Sequence, residues 1–262
     1  MSQALNPSGD QQFTLRLAVS EQDKLAAARL RYSVFVEELG GTGEGVDHSG
    51  RFETDEYDPF FDHLILVDNA RDSSGLDYVI GVYRVLRDDQ MLKLGRFYSE
   101  DEYDLTPLKN SGRKLLELGR SCVHPDYRGG IAMFQLWQGL SDYVNEHGIE
   151  VLFGVASFHG TDVAAFAQPL SLLHHNHLAP EKLRPVSKQY QSMNLVAKKD
   201  ISRAAAMKSM PSLIKAYLRL GGVVGDGAFI DHAFNTIDVC LVMDTDRLSA
   251  RHREIYTKAR RG

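Results

Sequence analysis

Cysteine is scarce in this sequence, since Cys122 and Cys240 are the only two among 262 residues. Two cysteines cannot build a disulfide framework, and the polar segment Met1–Gln12 lacks the cationic and apolar regions of a secretion signal, so we expect a cytoplasmic protein. No apolar run approaches the roughly 20 residues that a membrane-spanning helix needs. Basic residues are not in excess, because 30 Lys and Arg against 35 Asp and Glu give a net charge of -5, which argues against nucleic-acid binding.

What is present is typical of a folded globular protein, with 43% hydrophobic and 25% charged residues. Alternating and helical patterns follow one another in the order β-α-β-β-β-α-β. The segments are strand Phe13–Val19, a helix capped by Ser20, strands His63–Val67, Tyr78–Leu86 and Leu115–Val123, a helix ended by Gly148, and strand Val151–Val155. This order predicts an α+β fold with a mixed, mostly antiparallel sheet, one parallel pair and flanking helices.

The chain divides into a polar lead, a core, an extension of the same domain and a basic tail. We assign these to residues 1–12, 13–160, 161–247 and 248–262. The extension is expected to contain a helix after Pro211 and a last strand at Ile237–Met243, which would join the same sheet.

The most informative stretch is Glu117–Ile131, where a strand ends in a Gly-containing turn that leads into a helix. Backbone N–H groups at such a turn can bind an anion, Arg128 adds a cation, and Gly129 and Gly130 permit close approach of the backbone. An ordinary strand-to-helix turn is the alternative.

Glu117 and Arg120 are charged residues in an otherwise apolar strand. Their spacing of three predicts that they point to opposite faces, and at least one should be buried with a partner. A buried carboxylate with a raised pKa would suit a general base, whereas a structural salt bridge would lower the pKa; the sequence leaves both open.

Two further arginines suggest either ion pairs or an anion site. Arg31 and Phe35 lie four residues apart on the first helix and are expected to share a face. Arg84 lies in the middle of an apolar strand, where it either pairs with an aspartate or binds an anionic group of a substrate such as a carboxylate. The candidate aspartates are Asp55, Asp58 and Asp62.

Two other chemistries find little support. His174, His175 and His177 have no Cys or carboxylate at ligand spacing, so we expect a polar loop and no metal. Ser121 and Ser157 lack the Gly-x-Ser-x-Gly turn of a serine nucleophile.

Several motifs together resemble known families. The Pro125-x-Tyr-Arg-Gly-Gly turn before a helix is similar to the acyl-donor loop of the GCN5-related N-acyltransferase (GNAT) fold. A second set of motifs resembles the acyl-homoserine-lactone synthases: Arg31–Phe35, Asp55-x-x-Asp58, Gly81–Arg84 and Glu117-x-x-Arg120. A third set resembles the ornithine N-acyltransferases of ornithine-lipid synthesis, a family also called hemolysin-like, and extends the likeness over residues 14–247: Leu170–Pro180, Pro211–Gly222 and Asp231–Asp238.

The resemblance implies transfer of a 3-hydroxyacyl chain from acyl carrier protein to the α-amino group of ornithine, giving a lyso-ornithine lipid. It implies no permanently bound cofactor, because the 4′-phosphopantetheine arm arrives with the carrier protein. Glu117 is then the general base. The implied substrate-binding residues are Arg31, Phe35, Asp58, Arg84, Arg120 and Asp238. The implied donor-binding residues are Val123, Arg128, Gly129, Gly130, Phe153 and Phe158.

Partners and alternatives follow from the same resemblance. Carrier proteins are acidic, so basic side chains are candidate docking contacts, and the amphiphilic product suggests peripheral contact with the inner membrane surface. The docking candidates are Arg184, Lys208, Lys215 and Arg219. Alternative functions are an acyl-homoserine-lactone synthase or another amine N-acyltransferase, and, in a different class, a non-catalytic protein that binds lipid or carrier protein.

Overall fold

The computed structural model describes residues 12–43 and 45–247, so most of the polar lead and the whole basic tail 248–262 lie outside the described residues. The strands are β1 (Phe13–Leu17), β2 (Val46–Asp47), β3 (Phe52–Glu53), β4 (Asp62–Asp68), β5 (Val79–Arg87), β6 (Tyr103–Asp104), β7 (Leu115–Val123), β8 (Val151–His159), β9 (Val186–Ser187), β10 (Val223–Val224), β11 (Phe229–Asp231) and β12 (Thr236–Asp244).

The helices alternate with these strands along the chain. They are α1 (Glu21–Arg31), α2 (Asp88–Leu94), α3 (Thr106–Lys109), α4 (Ile131–His147), α5 (Ala167–Asn176), α6 (Arg203–Ser209) and α7 (Ser212–Arg219). A π-helix, Tyr32–Glu38, continues α1 directly. None of the helices in the described part of the chain combines the length and the apolar character that crossing a bilayer demands.

One eight-stranded sheet organises the molecule. Its order is β1-β4-β5-β7-β8-β12-β10, and β11 also pairs with β12. Within the described residues, the β7–β8 pair is parallel and the other pairs of this sheet are antiparallel. The predicted α+β fold with a mostly antiparallel sheet is therefore confirmed.

The ends of the elements follow local chemistry that the sequence contains. Ser20 caps α1 by accepting the N–H of Asp23 at 3.1 Å, while the Asp23 carboxylate accepts the N–H of Ser20. Gly148 ends α4 with a φ of 62°, a left-handed conformation that glycine adopts without a steric penalty. Strand β7 has the predicted bounds, whereas β8 continues four residues beyond Val155 to His159 because it pairs along its whole length with β12.

The sheet has two covered faces. The face that packs against α4, α5 and α7, here called the α4 face, carries the larger apolar core, which includes Leu136, Leu170 and Tyr217. The opposite face, the α1 face, packs against α1 and against the segments before and after β5. Its core has two parts, one around Ala27 and one around Phe97.

Residues from the last third of the chain complete the sheet. β12 pairs with β8 from Thr236 opposite His159 to Asp244 opposite Val151. The segment 161–247 therefore contributes strands to the same sheet as residues 13–160.

Candidate active site

The two parallel strands separate part-way along their length. β7 pairs with β8 only from Leu115 to Glu117, opposite Val151 to Phe153. At the point of separation the backbones are so close that a Cβ on Gly154 would lie 2.2 Å from the Leu118 carbonyl oxygen. Glycine is therefore required at this position, and a cleft of about 640 Å³ opens beyond it between the strands.

The cleft passes from one face of the sheet to the other. Successive strand residues point to opposite faces, so Leu241 of β12 belongs to the α4 face and Asp238 to the α1 face. On the α4 face the lining is apolar and includes Met133, Trp137, Leu213, Tyr217, Leu241 and Met243. On the α1 face it is largely polar and includes Tyr98, Glu102, Arg120, Asp231 and Asp238. Two reactants of different polarity can therefore meet at the strand separation from opposite sides.

Beside the cleft on the α1 face lies an ion-pair network formed by three arginines and three carboxylates, Arg31, Arg84, Arg120, Glu53, Asp55 and Asp58. Arg31 pairs with Glu53 through Nε and with Asp58 through Nη1 at 2.6 Å. Arg84 Nη1 donates to Asp55 at 2.5 Å and to Asp58 at 2.7 Å. Arg120 pairs with Glu53 at 3.1 Å and with Asp55 at 3.3 Å.

The network keeps Glu53 and Asp58 ionised. Burial alone would raise the pKa of Glu53, but the charges of Arg31 and Arg120 outweigh it and lower that pKa to about 2. Asp58 behaves alike: Arg31 and Arg84 oppose the effect of burial, and its pKa lies well below the ordinary value. Of the two alternatives for Arg84, the structure shows the ion pair.

Only part of the network reaches the cleft. Arg31 and Arg84 are fully buried, and neither they nor Asp58 line the cleft, so their expected contacts with substrate stay predictions. Arg120 does line it, together with Phe35 from the π-helix and Asp238 from β12. Of the six predicted substrate-binding residues, three therefore lie in the ion-pair network behind the cleft and three line the cleft itself.

The expected placement of Glu117 and Arg120 on opposite faces is wrong. Arg120 has a φ of 47°, and the pairing of β7 with β5 shifts register between Val82 and Arg84, which marks a β-bulge. The extra residue turns Arg120 toward the α1 face, where its Nη1 donates to the Tyr98 hydroxyl at 3.3 Å, beside Glu117.

Glu117 is buried, with 1% of its surface exposed. Its carboxylate accepts the backbone N–H groups of Tyr98 at 2.8 Å and Ser99 at 2.6 Å, and it does not itself line the cleft, although Leu118 does. Burial raises the pKa of Glu117, while the bonds from Ser99 and Tyr98 act in the opposite direction. Its role as the general base stays a prediction.

The donor loop connects β7 to α4. Val123, Arg128 and Gly129 line the cleft, whereas Gly130 is the N-cap of α4 and is not part of the lining. Both terminal nitrogens of Arg128 donate to Glu38 at 2.6 Å, so this guanidinium is held by a carboxylate at the cleft edge. The remaining donor-binding candidates differ in position, because Phe153 lines the cleft on the α1 face and Phe158 is buried in the core of the α4 face.

Sequence reasoning missed a group of three carboxylates that we call the acidic cluster: Glu102, Asp231 and Asp238. One carboxylate oxygen from each lies within 4.8 Å of the others, and all three residues line the cleft. Asp231 and Asp238 belong to a motif that was noted, but Glu102 lies in a segment without helical or strand periodicity, just before β6. No spacing in the sequence connects the three.

Nucleophilic and histidine chemistry find no support in the described residues. Burial raises the pKa of Cys122 to about 12, so its thiol stays protonated near neutral pH. The expected polar loop is wrong, because buried leucines of α5 extend the helix through His174 and His175, and His177 is its C-cap. These histidines lie outside the cleft lining, and His175 contacts the Val196 carbonyl at 3.2 Å. The one group of possible metal ligands in the part of the chain that the structure describes does not include them.

Fold and cleft together define the class of protein. A mostly antiparallel sheet whose one parallel pair separates around a cleft is the architecture of a GNAT-type acyltransferase, and the family model of the acetyltransferase (GNAT) domain matches residues 30–138. The protein is an enzyme of the N-acyltransferase class.

Relatives specify the family more closely. An L-ornithine N(alpha)-acyltransferase from Rhodobacter capsulatus is 61% identical over 246 residues, which cover 94% of this chain and 95% of that protein. One of the same name from Brucella abortus is 44% identical and covers 92% of this chain and 88% of that protein. The chain belongs to the L-ornithine N(alpha)-acyltransferase family.

Solved structures agree on the fold at low sequence identity. An N-acyl amino acid synthase from uncultured soil microbes superposes with a TM-score of 0.53 at 12% identity and covers 92% of this chain and 97% of its own. The acyl-homoserine-lactone synthase LasI gives a TM-score of 0.51 at 13% identity and covers 94% and 95%.

Proposed function

We propose that the enzyme transfers a 3-hydroxyacyl chain from acyl carrier protein to the α-amino group of ornithine, giving a lyso-ornithine lipid. The new bond is an amide between the α-nitrogen and the acyl carbon. The bond that breaks joins that carbon to sulfur, and the sulfur leaves as the thiol of the phosphopantetheine arm. The observation that carries the proposal is the cleft through the sheet, apolar on the α4 face and polar on the α1 face. Relatives named for ornithine acylation support the choice of acceptor.

The acyl chain is proposed to enter from the α4 face. Trp137, Tyr217 and Leu241 offer an apolar lining there, and burial of a methylene group in such a site contributes about 0.8 kcal/mol. The ornithine is proposed to enter from the α1 face, where Arg120 lines the cleft and suits the α-carboxylate, which would share its guanidinium with Glu53 and Asp55.

The donor loop suits a single phosphodiester. Coenzyme A would present a pyrophosphate and an adenosine, whereas the phosphopantetheine arm presents one phosphate. Arg128 at the cleft edge is half exposed and held by Glu38, so a phosphate bound there would share or replace this carboxylate contact. Among the four docking candidates, Lys208 and Arg219 are exposed, while Arg184 and Lys215 donate to the carbonyls of Ala179 and Met207.

We propose Glu117 as the group that accepts the proton of the reacting ammonium, through a water molecule because the carboxylate does not line the cleft. Two features support it: its raised pKa, and its place as the last β7 residue paired with β8 before the strands separate. The oxyanion of the tetrahedral intermediate is proposed to accept hydrogen bonds from backbone N–H groups of β7 near Val123, beyond the residues that pair with β8.

We also propose that the enzyme is cytoplasmic and, because its product is amphiphilic, works at the inner membrane surface. Ile131 and Phe134 support this part of the proposal, because they lie in the first turn of α4 next to the donor loop and are 57% and 55% exposed.

The test of the function is an assay with purified protein and 3-hydroxyacyl carrier protein. Ornithine, lysine and S-adenosylmethionine are offered in parallel, and products are measured by mass spectrometry. We expect acylated ornithine. Product from S-adenosylmethionine alone would indicate a homoserine-lactone synthase, and carrier binding without product from any amine would indicate a non-catalytic protein.

A further inference from the structure

The acidic cluster brings three carboxyl groups together on the α1 face of the cleft. Glu102 comes from the turn before β6, Asp231 ends β11 and Asp238 lies on β12, so three separate segments converge on one point. Glu102 and Asp238 are only 6% and 3% exposed. Burying carboxylates together is unfavourable unless a cation or donors compensate for the lost hydration.

Two oxygen atoms of the cluster have no partner within residues 12–43 and 45–247. They are Oε2 of Glu102 and Oδ1 of Asp238, both buried at the cleft. The other contacts of the cluster come from neutral groups: Asp238 Oδ2 accepts from Thr236 at 3.1 Å, the Ser157 hydroxyl on β8 also bonds the Asp238 carboxylate, and Asp231 Oδ1 accepts the N–H groups of Ala233 and Phe234 at 2.8 and 3.0 Å. The unpartnered atoms are acceptors, so a donor that carries positive charge would satisfy them.

The surrounding residues do not supply that charge. Arg120 is the nearby cation, and its guanidinium already pairs with Glu53 and Asp55 of the ion-pair network. Asp101 adds negative charge, and the Tyr103 hydroxyl donates to the backbone carbonyls of Gly227 and Asp238. No ion pair recorded among the described residues includes a member of the acidic cluster.

We propose that the acidic cluster binds the side-chain ammonium of the acceptor and so selects a diamino acid. This inference rests on the proposed function, in which the α-amino group reacts at the strand separation. The second ammonium of the same molecule then extends along the α1 face to Glu102, Asp231 and Asp238, while Arg120 faces the α-carboxylate. An acceptor with an uncharged side chain leaves buried carboxylates unpaired, which is the basis of strong discrimination.

The test compares two acceptors of nearly the same shape. Ornithine and 5-hydroxynorvaline differ only in the terminal ammonium, which a hydroxyl replaces in the second compound. Both are assayed with the wild type, with Asp238→Asn and with Glu102→Gln, which preserve shape but cannot ionise to pair with the ammonium. Glu21→Gln is the matched control, since its side chain is 84% exposed at the start of α1 and does not line the cleft.

We expect the wild type to prefer ornithine, and each cluster variant to raise the KM for ornithine about tenfold or more with a smaller change in kcat. The KM for 5-hydroxynorvaline should change little, so the preference for ornithine should collapse. Glu21→Gln should retain it. Melting temperatures of both cluster variants establish that they are folded.

Three results would overturn the inference while leaving the proposed function intact, provided that the wild type acylates ornithine. They are an equal loss for both acceptors, an unchanged ratio of their kcat/KM values, and stabilisation of the wild type by Mg²⁺ or Ca²⁺ that the cluster variants lack, because a divalent cation would then occupy the cluster. A wild type that acylates neither compound would instead refute the proposed function.

Discussion

Two groups of buried carboxylates lie on the same face of the sheet and differ in their counter-charges. In the ion-pair network, Glu53, Asp55 and Asp58 meet three arginines. In the acidic cluster, three carboxylates converge, and none of them forms an ion pair with another residue of the described ranges. The pKa values follow this difference. Arginine charges lower that of Glu53 to about 2, whereas burial together with the charges of Asp238 and Asp231 raises that of Glu102 to about 9.

This difference in counter-charges indicates a structural role for the ion-pair network and a ligand-binding role for the acidic cluster. A network whose charges balance internally needs no ligand, and its members can hold the wall of the cleft in place. In the empty protein the cluster limits its unbalanced charge by keeping Glu102 protonated near neutral pH, and a bound cation stabilises the ionised form. The shared residue type therefore says less about role than the charges around each carboxylate do.

The largest expected effect comes from breaking the balance of the ion-pair network. Arg84→Met removes the cation that contacts both Asp55 and Asp58 and leaves their charge partly uncompensated. We expect the free energy of unfolding to fall by about 3 kcal/mol or more, because a buried ion pair that loses one partner retains the cost of desolvation. Urea denaturation followed by circular dichroism measures the change.

A surface pair supplies the control for that measurement. Lys24 and Glu21 form an ion pair with side chains 49% and 84% exposed, so Lys24→Met should change stability by less than about 1 kcal/mol. If Arg84→Met lowers the free energy of unfolding no more than Lys24→Met does, the structural role of the ion-pair network is contradicted.

The next prediction is a loss of turnover when Glu117, a buried carboxylate that accepts two backbone N–H groups, is replaced. We expect Glu117→Gln to reduce turnover about a hundredfold or more while the protein stays folded. A base must be ionised to act, and burial raises the pKa of Glu117, so wild-type kcat/KM should rise with pH through a value above that of an ordinary glutamate.

The pH profile distinguishes a base from a positioning residue. If Glu117 accepts the proton, the residual kcat/KM of Glu117→Gln no longer rises with pH through this range. If it only holds the backbone at Tyr98 and Ser99, the variant should keep that rise and lose thermal stability instead.

The sequence predicted local elements well because their signals are local. The Ser20 capping box, the bounds of β7 and the end of α4 at Gly148 depend on neighbouring residues and appear in the structure as predicted. The face of Arg120 was not predictable in this way. Alternation fails at a β-bulge, and the bulge is defined by how β7 pairs with β5, which no short-range pattern records.

Residues of the candidate site were predictable from the sequence where they lie close together along the chain. Glu117 and Arg120 stand three residues apart and were both singled out. Glu102 comes near Asp231 and Asp238 only through the packing of the loop before β6 against β11 and β12. Proximity of residues more than a hundred positions apart in the chain follows from the tertiary fold, so the acidic cluster required the structure.

The last prediction concerns how the stability of the protein depends on pH. It compares the wild type with a variant in which one member of the acidic cluster, Glu102, cannot ionise. Glu102 has a pKa of about 9 in the folded protein against an ordinary value of 4.5, since burial and neighbouring carboxylates favour its protonated form. The folded state therefore binds more protons than the unfolded state between these values, and its stability falls as pH rises through that window.

Glu102→Gln cannot ionise and should escape this loss. We expect its melting temperature to match that of the wild type near pH 4.5 and to exceed it by at least about 2–4 °C at pH 8.5, because each unit by which the pKa is raised contributes about 1.4 kcal/mol within this window. Glu21→Gln should show no such trend. A difference between Glu102→Gln and wild type that stays constant with pH would mean that Glu102 is not a strained carboxylate. Saturating ornithine should narrow the difference at pH 8.5, because the bound ammonium supplies the wild-type cluster with the positive charge that the ion-pair network obtains from its own arginines.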